Sequence, residues 1–139
     1  MTSGTGPQAG DAAPDFSLPG VGGATHALGG HRGRKLVLYF YPKDDTSGCT
    51  KEAQSFTELA DSFAEADTDV LGVSKDSIAA HGKFIDKYGL KVALASDAEG
   101  AAVEAYGVWV EKNMYGRKYM GIERATFLID REGRIARVW

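Results

Sequence analysis

The clearest pattern in the chain is a run of six apolar or aromatic residues, Leu36-Val37-Leu38-Tyr39-Phe40-Tyr41. An uninterrupted run this short suits a strand covered on both faces, as in a parallel or mixed sheet. Pro42 ends it, because proline has no N–H to give a ladder, and Lys43-Asp44-Asp45-Thr46-Ser47-Gly48 reads as a polar loop. From Cys49 the period changes. Cys49, Ala53, Phe56, Ala60 and Phe63 step by four and three, which lines one face of a helix through Phe63. A buried strand thus feeds through a polar turn into a helix whose first turn carries Cys49.

Before this unit, residues 1–10 are rich in Gly, Ser and Thr and have no apolar period, so they read as a flexible tail ahead of a domain spanning 11–139. Asp15-Phe16-Ser17-Leu18 alternates as a short edge strand between Pro14 and Pro19, and the glycine-rich stretch 20–34 reads as turns with one short strand near 25–28. After it, residues 70–74 form a second apolar strand. Asp76 or Ser77 caps a helix through Tyr88 whose apolar side holds Ile78, Phe84, Ile85 and Tyr88. Residues 92–95 make a third strand, and a helical stretch runs from Asp97 to Tyr106, stopped by Gly107. Residues 108–122 are mixed and aromatic, without a regular period. The apolar runs 125–129 and 135–139 flank Asp130-Arg131-Glu132-Gly133, a hairpin signal. Strands alternating with helices and closing in a hairpin predict an α/β fold, a central mixed β-sheet flanked by helices. Active sites in such sheets form at the carboxyl ends of central strands, where Cys49 falls.

A length of 139 residues is one domain's worth, enough for a core without covalent staples. The net charge of −3, with no cluster of Lys or Arg, argues against a nucleic-acid binder. The longest apolar run is too short to span a bilayer, and the N-terminus lacks the basic and apolar segments of a secretory signal, so cytoplasm is the expected location. A single cysteine cannot form an internal disulfide. His26 and His31 stand in the glycine-rich stretch with no cysteine or carboxylate at zinc-like spacing, and they read as surface residues rather than metal ligands. His81, on the second helical segment, reads as solvated. No metal or cofactor is expected.

The position of Cys49 has chemical consequences. First-turn N–H groups have no intrahelical partner and carry the positive end of the helix dipole. A thiol held there is favoured as thiolate, the nucleophilic form, and the same N–H groups can bind the oxygen of what it attacks. Thr46, three residues earlier, can offer its hydroxyl to sulfur or substrate. A lone cysteine is also commonly a small buried hydrophobe, and placement alone leaves both readings open.

Pro42-x-x-x-Thr46-x-x-Cys49 resembles the active-site signature of the peroxiredoxins, and YFYPKDDTSGCTKEA resembles their bacterioferritin-comigratory, or PrxQ, branch. The likeness continues through LGVSKDS at 71–77 and EKNMYGRKYMGIERATFLID at 111–130. The resemblance implies a thioredoxin-like fold and a thiol-dependent peroxidase reducing hydrogen peroxide and organic hydroperoxides. It implies Cys49 as the peroxidatic cysteine that becomes a sulfenic acid, and Thr46 as the threonine bonding thiolate and peroxide. It implies Pro42 as the residue shielding the pocket and Arg124 as the arginine stabilising the thiolate. Sequence alone does not choose Arg124 over Arg117, Arg131 or Arg134. Glu52 is a candidate to orient that arginine, and the helix dipole accounts for a glutamate there equally well.

Three departures stand out. Ser47 replaces a common second proline. The chain stops at Trp139, where the resemblance implies a further C-terminal helix. No resolving cysteine exists, since Gln54, Phe84 and Ile85 occupy the places where branch members carry it. A one-cysteine enzyme needs an external thiol, either thioredoxin, glutaredoxin or a low-molecular-weight thiol, and the branch implies a monomer. A Cys-x-x-Cys oxidoreductase is disfavoured because Thr46 takes the first cysteine's place. A redox sensor would share the fast peroxide reaction but not turnover with thiol, and a purely structural module leaves the four matched positions unexplained.

Overall fold

The computed structural model describes residues 6–139. Its elements, in chain order, begin with strands β1 (Ser17–Pro19), β2 (Thr25–Ala27) and β3 (Lys35–Phe40). Helices α1 (Ser47–Glu58) and α2 (Ala60–Glu65) lead to β4 (Thr68–Ser74), α3 (Ile78–Tyr88), β5 (Ala93–Ser96) and α4 (Ala101–Ala105). Four strands end the chain: β6 (Trp109–Met114), β7 (Arg117–Ile122), β8 (Ala125–Ile129) and β9 (Ile135–Val138). The central sheet has the order β5-β4-β3-β8-β9, with β3, β4 and β5 parallel and β8 and β9 each antiparallel to the preceding neighbour. It is the expected mixed sheet, and the fold is thioredoxin-like.

The six-residue run 36–41 is buried throughout because β3 is the middle strand and its side chains feed two cores. Leu36, Leu38 and Phe40 join Leu71, Val73, Phe127, Ile129 and, from α4 and its end, Ala102, Val103 and Tyr106 on one face. Tyr39 and Tyr41 join Cys49 and Ala53 of α1, Phe84 of α3 and Leu94 on the other. Burying each large side chain of β3 contributes roughly 1.5–3 kcal/mol, so the strand carrying the loop to Cys49 is anchored from both sides.

The helix expected from Cys49 to Phe63 is divided at Leu59, which leaves helical geometry (ψ 6°). Phe56, before the break, stacks on Tyr39 at 4.6 Å between centroids, and α2 then turns to follow β4. The mixed, aromatic stretch 108–122 holds the β6–β7 hairpin. Its turn uses Tyr115 (φ +53°) and Gly116 (φ +78°), the two left-handed positions of a tight hairpin. Both strands are mostly exposed on both faces, so no apolar alternation marks them in the sequence.

Of the expected tail, residues 1–5 lie outside the described residues, and the Gly10 N–H donates to the Ile135 carbonyl at 2.8 Å. Among the described residues, no helix is long and apolar enough to cross a membrane.

Candidate active site

Thr46 is the N-cap of α1, in extended geometry, and its carbonyl accepts the Thr50 N–H at 2.8 Å. Ser47, Gly48 and Cys49 are therefore the first three helical residues, whose N–H groups have no intrahelical acceptor. Thr46 makes no side-chain cap bond to them. Cys49 is 2% exposed, so its thiol is buried at the positive end of α1, whose leading residues Thr46, Ser47 and Gly48 face solvent.

Arg124 reaches this pocket through strand pairing. Antiparallel β8 begins where β3 ends, with Ala125 opposite Phe40, so the residue before β8 lies beside the carboxyl end of β3. The Arg124 Nη2 donates to Cys49 Sγ at 3.1 Å, across 75 positions of sequence. Its Nη1 donates to Glu52 Oε1 at 2.6 Å. Glu52 is three residues after Cys49 and so shares its face of α1. One guanidinium thus spans the sulfur and a carboxylate, and it packs close to Gly48, where a Cβ would stand 3.4 Å from Nη2, at the edge of ordinary contact. Burial lowers the affinity of Arg124 for its proton, but the Cys49 and Glu52 contacts outweigh this and raise it. Burial raises the Glu52 carboxyl above the usual glutamate range, against the opposing pull of Arg124.

Thr46 and Pro42 are both exposed. The Thr46 hydroxyl donates to the Lys43 carbonyl at 3.1 Å, turned back along the loop rather than toward the sulfur. Among the described residues, Arg124 alone hydrogen-bonds Sγ. A cavity of about 560 Å³ touches this site only at Arg124 and otherwise lies among residues such as Tyr106, Phe127 and Trp139. Cys49 does not line it.

One histidine, His81, differs from its expected role. His81 is fully buried, not solvated, with Nδ1 2.6 Å from Asp44 Oδ2 and Nε2 3.0 Å from the Ala95 carbonyl. Its signal was present: Ile78, His81, Phe84, Ile85 and Tyr88 share one helical period, and the Ser77 cap sets its phase. His31 pairs with Asp69 at 2.7 Å in a half-buried position.

The AhpC/TSA family matches residues 9–138. Peroxiredoxin Bcp of Bacillus subtilis is 50% identical, over 94% of this chain and 83% of that protein. Peroxiredoxin Bcp of Xanthomonas campestris is 45% identical, over 90% of this chain and 78% of its own. A solved structure of the Xanthomonas campestris bacterioferritin comigratory protein, concerned with its alkyl peroxide reduction activity, superposes with a TM-score of 0.87 at 43% identity. That match covers 91% of this chain and 80% of the other.

Proposed function

The chain belongs to the AhpC/TSA family, in its Bcp or PrxQ branch of peroxiredoxins, and from that premise we propose how its residues divide the work. It is a thiol-dependent peroxidase with one cysteine, taking a hydroperoxide and a thiol reductant. In our reading the Cys49 thiolate attacks the terminal oxygen of the peroxide. An S–O bond forms as the O–O bond breaks, sulfur is oxidised to the sulfenic acid, and the released alkoxide or hydroxide takes a proton from solvent.

The observation that carries this reading is the Arg124 guanidinium spanning Sγ and Glu52. Its charge favours the thiolate and then the negative charge passing onto the peroxide oxygens, while the open N–H groups of 47–49 add fixed dipoles. Glu52 holds the guanidinium plane in place. Thr46 exchanges its bond to the Lys43 carbonyl for one to the bound peroxide, and Pro42, at the rim, limits water entry.

Recycling follows from the sulfur count. With Gln54, Phe84 and Ile85 in place of a resolving cysteine, the sulfenic acid condenses with an outside thiol, releasing water and leaving a mixed disulfide that a second thiol reduces. Thioredoxin, glutaredoxin and small thiols are the candidate reductants, and dependence on them fits a reducing compartment such as the cytoplasm. The sulfenic acid forms and is reduced without a Cys49–Cys49 disulfide between chains, because two sulfurs as buried as Cys49 cannot bond without opening both first turns, and this fits a monomeric enzyme.

The test is peroxide consumption with a thioredoxin system or glutathione. Sustained turnover that disappears in Cys49→Ser is expected. Turnover unchanged by that substitution contradicts the assignment, and quantitative conversion to a Cys49–Cys49 dimer contradicts the monomeric route.

A further inference from the structure

The loop between β3 and α1 carries two successive aspartates, and both reach α3. Asp44 does so inside the protein. Its Oδ2 lies 2.6 Å from His81 Nδ1, and its Oδ1 accepts the Tyr41 hydroxyl at 2.5 Å. Its backbone N–H donates to Asp76 Oδ2 at 2.8 Å, an oxygen that also accepts the Ser74 hydroxyl at 2.7 Å. Asp45, in the left-handed region (φ +59°), turns its carboxylate to the solvent end of the same helix. There it accepts from Lys87 Nζ at 2.8 Å and from the Tyr88 hydroxyl at 2.5 Å. His81 and Tyr88 are seven residues apart, two helical turns, so both aspartates grip one face of α3.

The protons around His81 can be counted from geometry. Nε2 faces the Ala95 carbonyl at 3.0 Å, and a carbonyl only accepts, so Nε2 carries hydrogen. A second proton must lie between Nδ1 and Asp44 Oδ2, because two lone pairs facing across 2.6 Å would repel. Whether that proton sits on nitrogen or oxygen, the pair is neutral in sum and each atom is partnered. None of these bonds touches Sγ, Arg124 or Glu52. A satisfied polar network of this kind, with His81 at 0% and Asp44 at 9% exposure, is a rigid joint between the ends of β3, β4 and β5 and the helix.

We propose that Asp44 and His81 are positioning residues for the peroxidase reaction. By clamping residues 43–45 onto α3 they fix where Thr46 caps α1, and so where the open N–H groups of 47–49 and the Thr46 hydroxyl stand around the sulfur. The proposal rests on the role assigned above to Cys49.

The experiment compares two second-order rate constants at Cys49, with hydrogen peroxide and with iodoacetamide. Alkylation needs only an accessible thiolate, whereas the peroxide reaction needs the surrounding donors in line, so their ratio reports positioning. Asp44→Ala and His81→Ala should each lower the ratio by about tenfold, the size of effect that small misplacements produce. The double variant should lose little more, since one joint is broken once. Asp44→Asn should keep the ratio within about twofold of wild type, because its amide donates to Nδ1 of neutral His81 and its carbonyl accepts from Tyr41. Tyr41→Phe and Asp45→Ala are expected to fold and to lower the ratio about threefold, and they decide the matter if the alanine variants at 44 and 81 do not fold. Ile135→Val, a core change at the far end of the sheet, should reduce stability and leave the ratio alone. A wild-type ratio in every folded clamp variant overturns the proposal, as does an Asn variant as impaired as Ala, or an equal fall in Ile135→Val. A wild-type protein alkylated at Cys49 but inert to peroxide would instead refute the role of Cys49 itself.

Discussion

Two polar clusters hang from the loop that joins β3 to α1, and they are built in opposite ways. Around His81 and Asp44 each hydrogen-bonding atom of the two side chains has a partner and none is exposed beyond a few percent. Around Cys49 the sulfur has one donor among the described residues, Arg124, whose side chain is 40% exposed, and the first three N–H groups of α1 have no helical acceptor. Satisfied groups make rigid supports, and unsatisfied donors aimed at a nucleophile stabilise charge that appears only during reaction. On the reading proposed above, the first cluster holds the loop still and the second does the chemistry.

The strongest way to break that contrast is at the sulfur. Cys49→Ser should lower peroxide turnover by more than about 10³-fold while leaving the fold intact, because the hydroxyl is a far weaker nucleophile. Peroxide assays alongside circular dichroism check this. Next is the guanidinium. Arg124→Lys keeps the charge but loses the planar fork that reaches Sγ and Glu52 together, and kcat/KM for peroxide should fall about 10²-fold. An unchanged value in a folded Arg124→Lys protein would move the charge-stabilising role elsewhere.

Glu52→Gln tests the orienting carboxylate and should cost about three- to tenfold in the same assay. It also has a pH signature. Burial raises the folded-state affinity of Glu52 for its proton, more than Arg124 lowers it. Stability from such a group is fully present below its unfolded-state value and is lost as pH rises through the folded-state value. Wild type should therefore gain on Glu52→Gln as pH falls from about 7 to about 4, by less than about 1 kcal/mol since the carboxylate is partly solvated. Urea midpoints across that range check the sign, and a gap that moves the other way contradicts it.

The smallest effect should come from Tyr39. Its hydroxyl is buried, without a hydrogen-bond partner among the described residues, in the same core as Cys49, and burial pushes its ionisation far upward. Tyr39→Phe removes that unpaired group while keeping the stack on Phe56, so stability should hold or rise by about 1 kcal/mol. A clear fall in the urea midpoint would mean that the hydroxyl has a partner.

How much of the molecule is legible in its sequence follows the range of the interactions. The buried strand 36–41, the polar loop, Cys49 in a first helical turn and the closing hairpin are local patterns, and they stand where the periodicity puts them. The β6–β7 hairpin is hidden because neither of its strands buries a full face, and its Tyr-Gly turn lacks the usual Asn-Gly signal. Resemblance names Arg124 but no local pattern does, because its place beside Cys49 depends on the pairing of β8 with β3. The helical period puts His81 on the apolar side of α3, but its burial, like the place of Arg124, depends on distant partners. A histidine on an apolar helix face is buried only if something meets both of its nitrogens, and Asp44 and Ala95 come from 37 and 14 residues away.

The central claim is that peroxide leaves one oxygen atom on Cys49 as a sulfenic acid, which an outside thiol then removes. Intact mass spectrometry of the reduced protein after one equivalent of hydrogen peroxide, with dimedone trapping and peptide mapping, tests it most directly. The expected result is a single dimedone adduct on Cys49 of a monomer, lost when glutathione is added before the trap. Peroxide consumed with Cys49 still a free thiol would contradict the account.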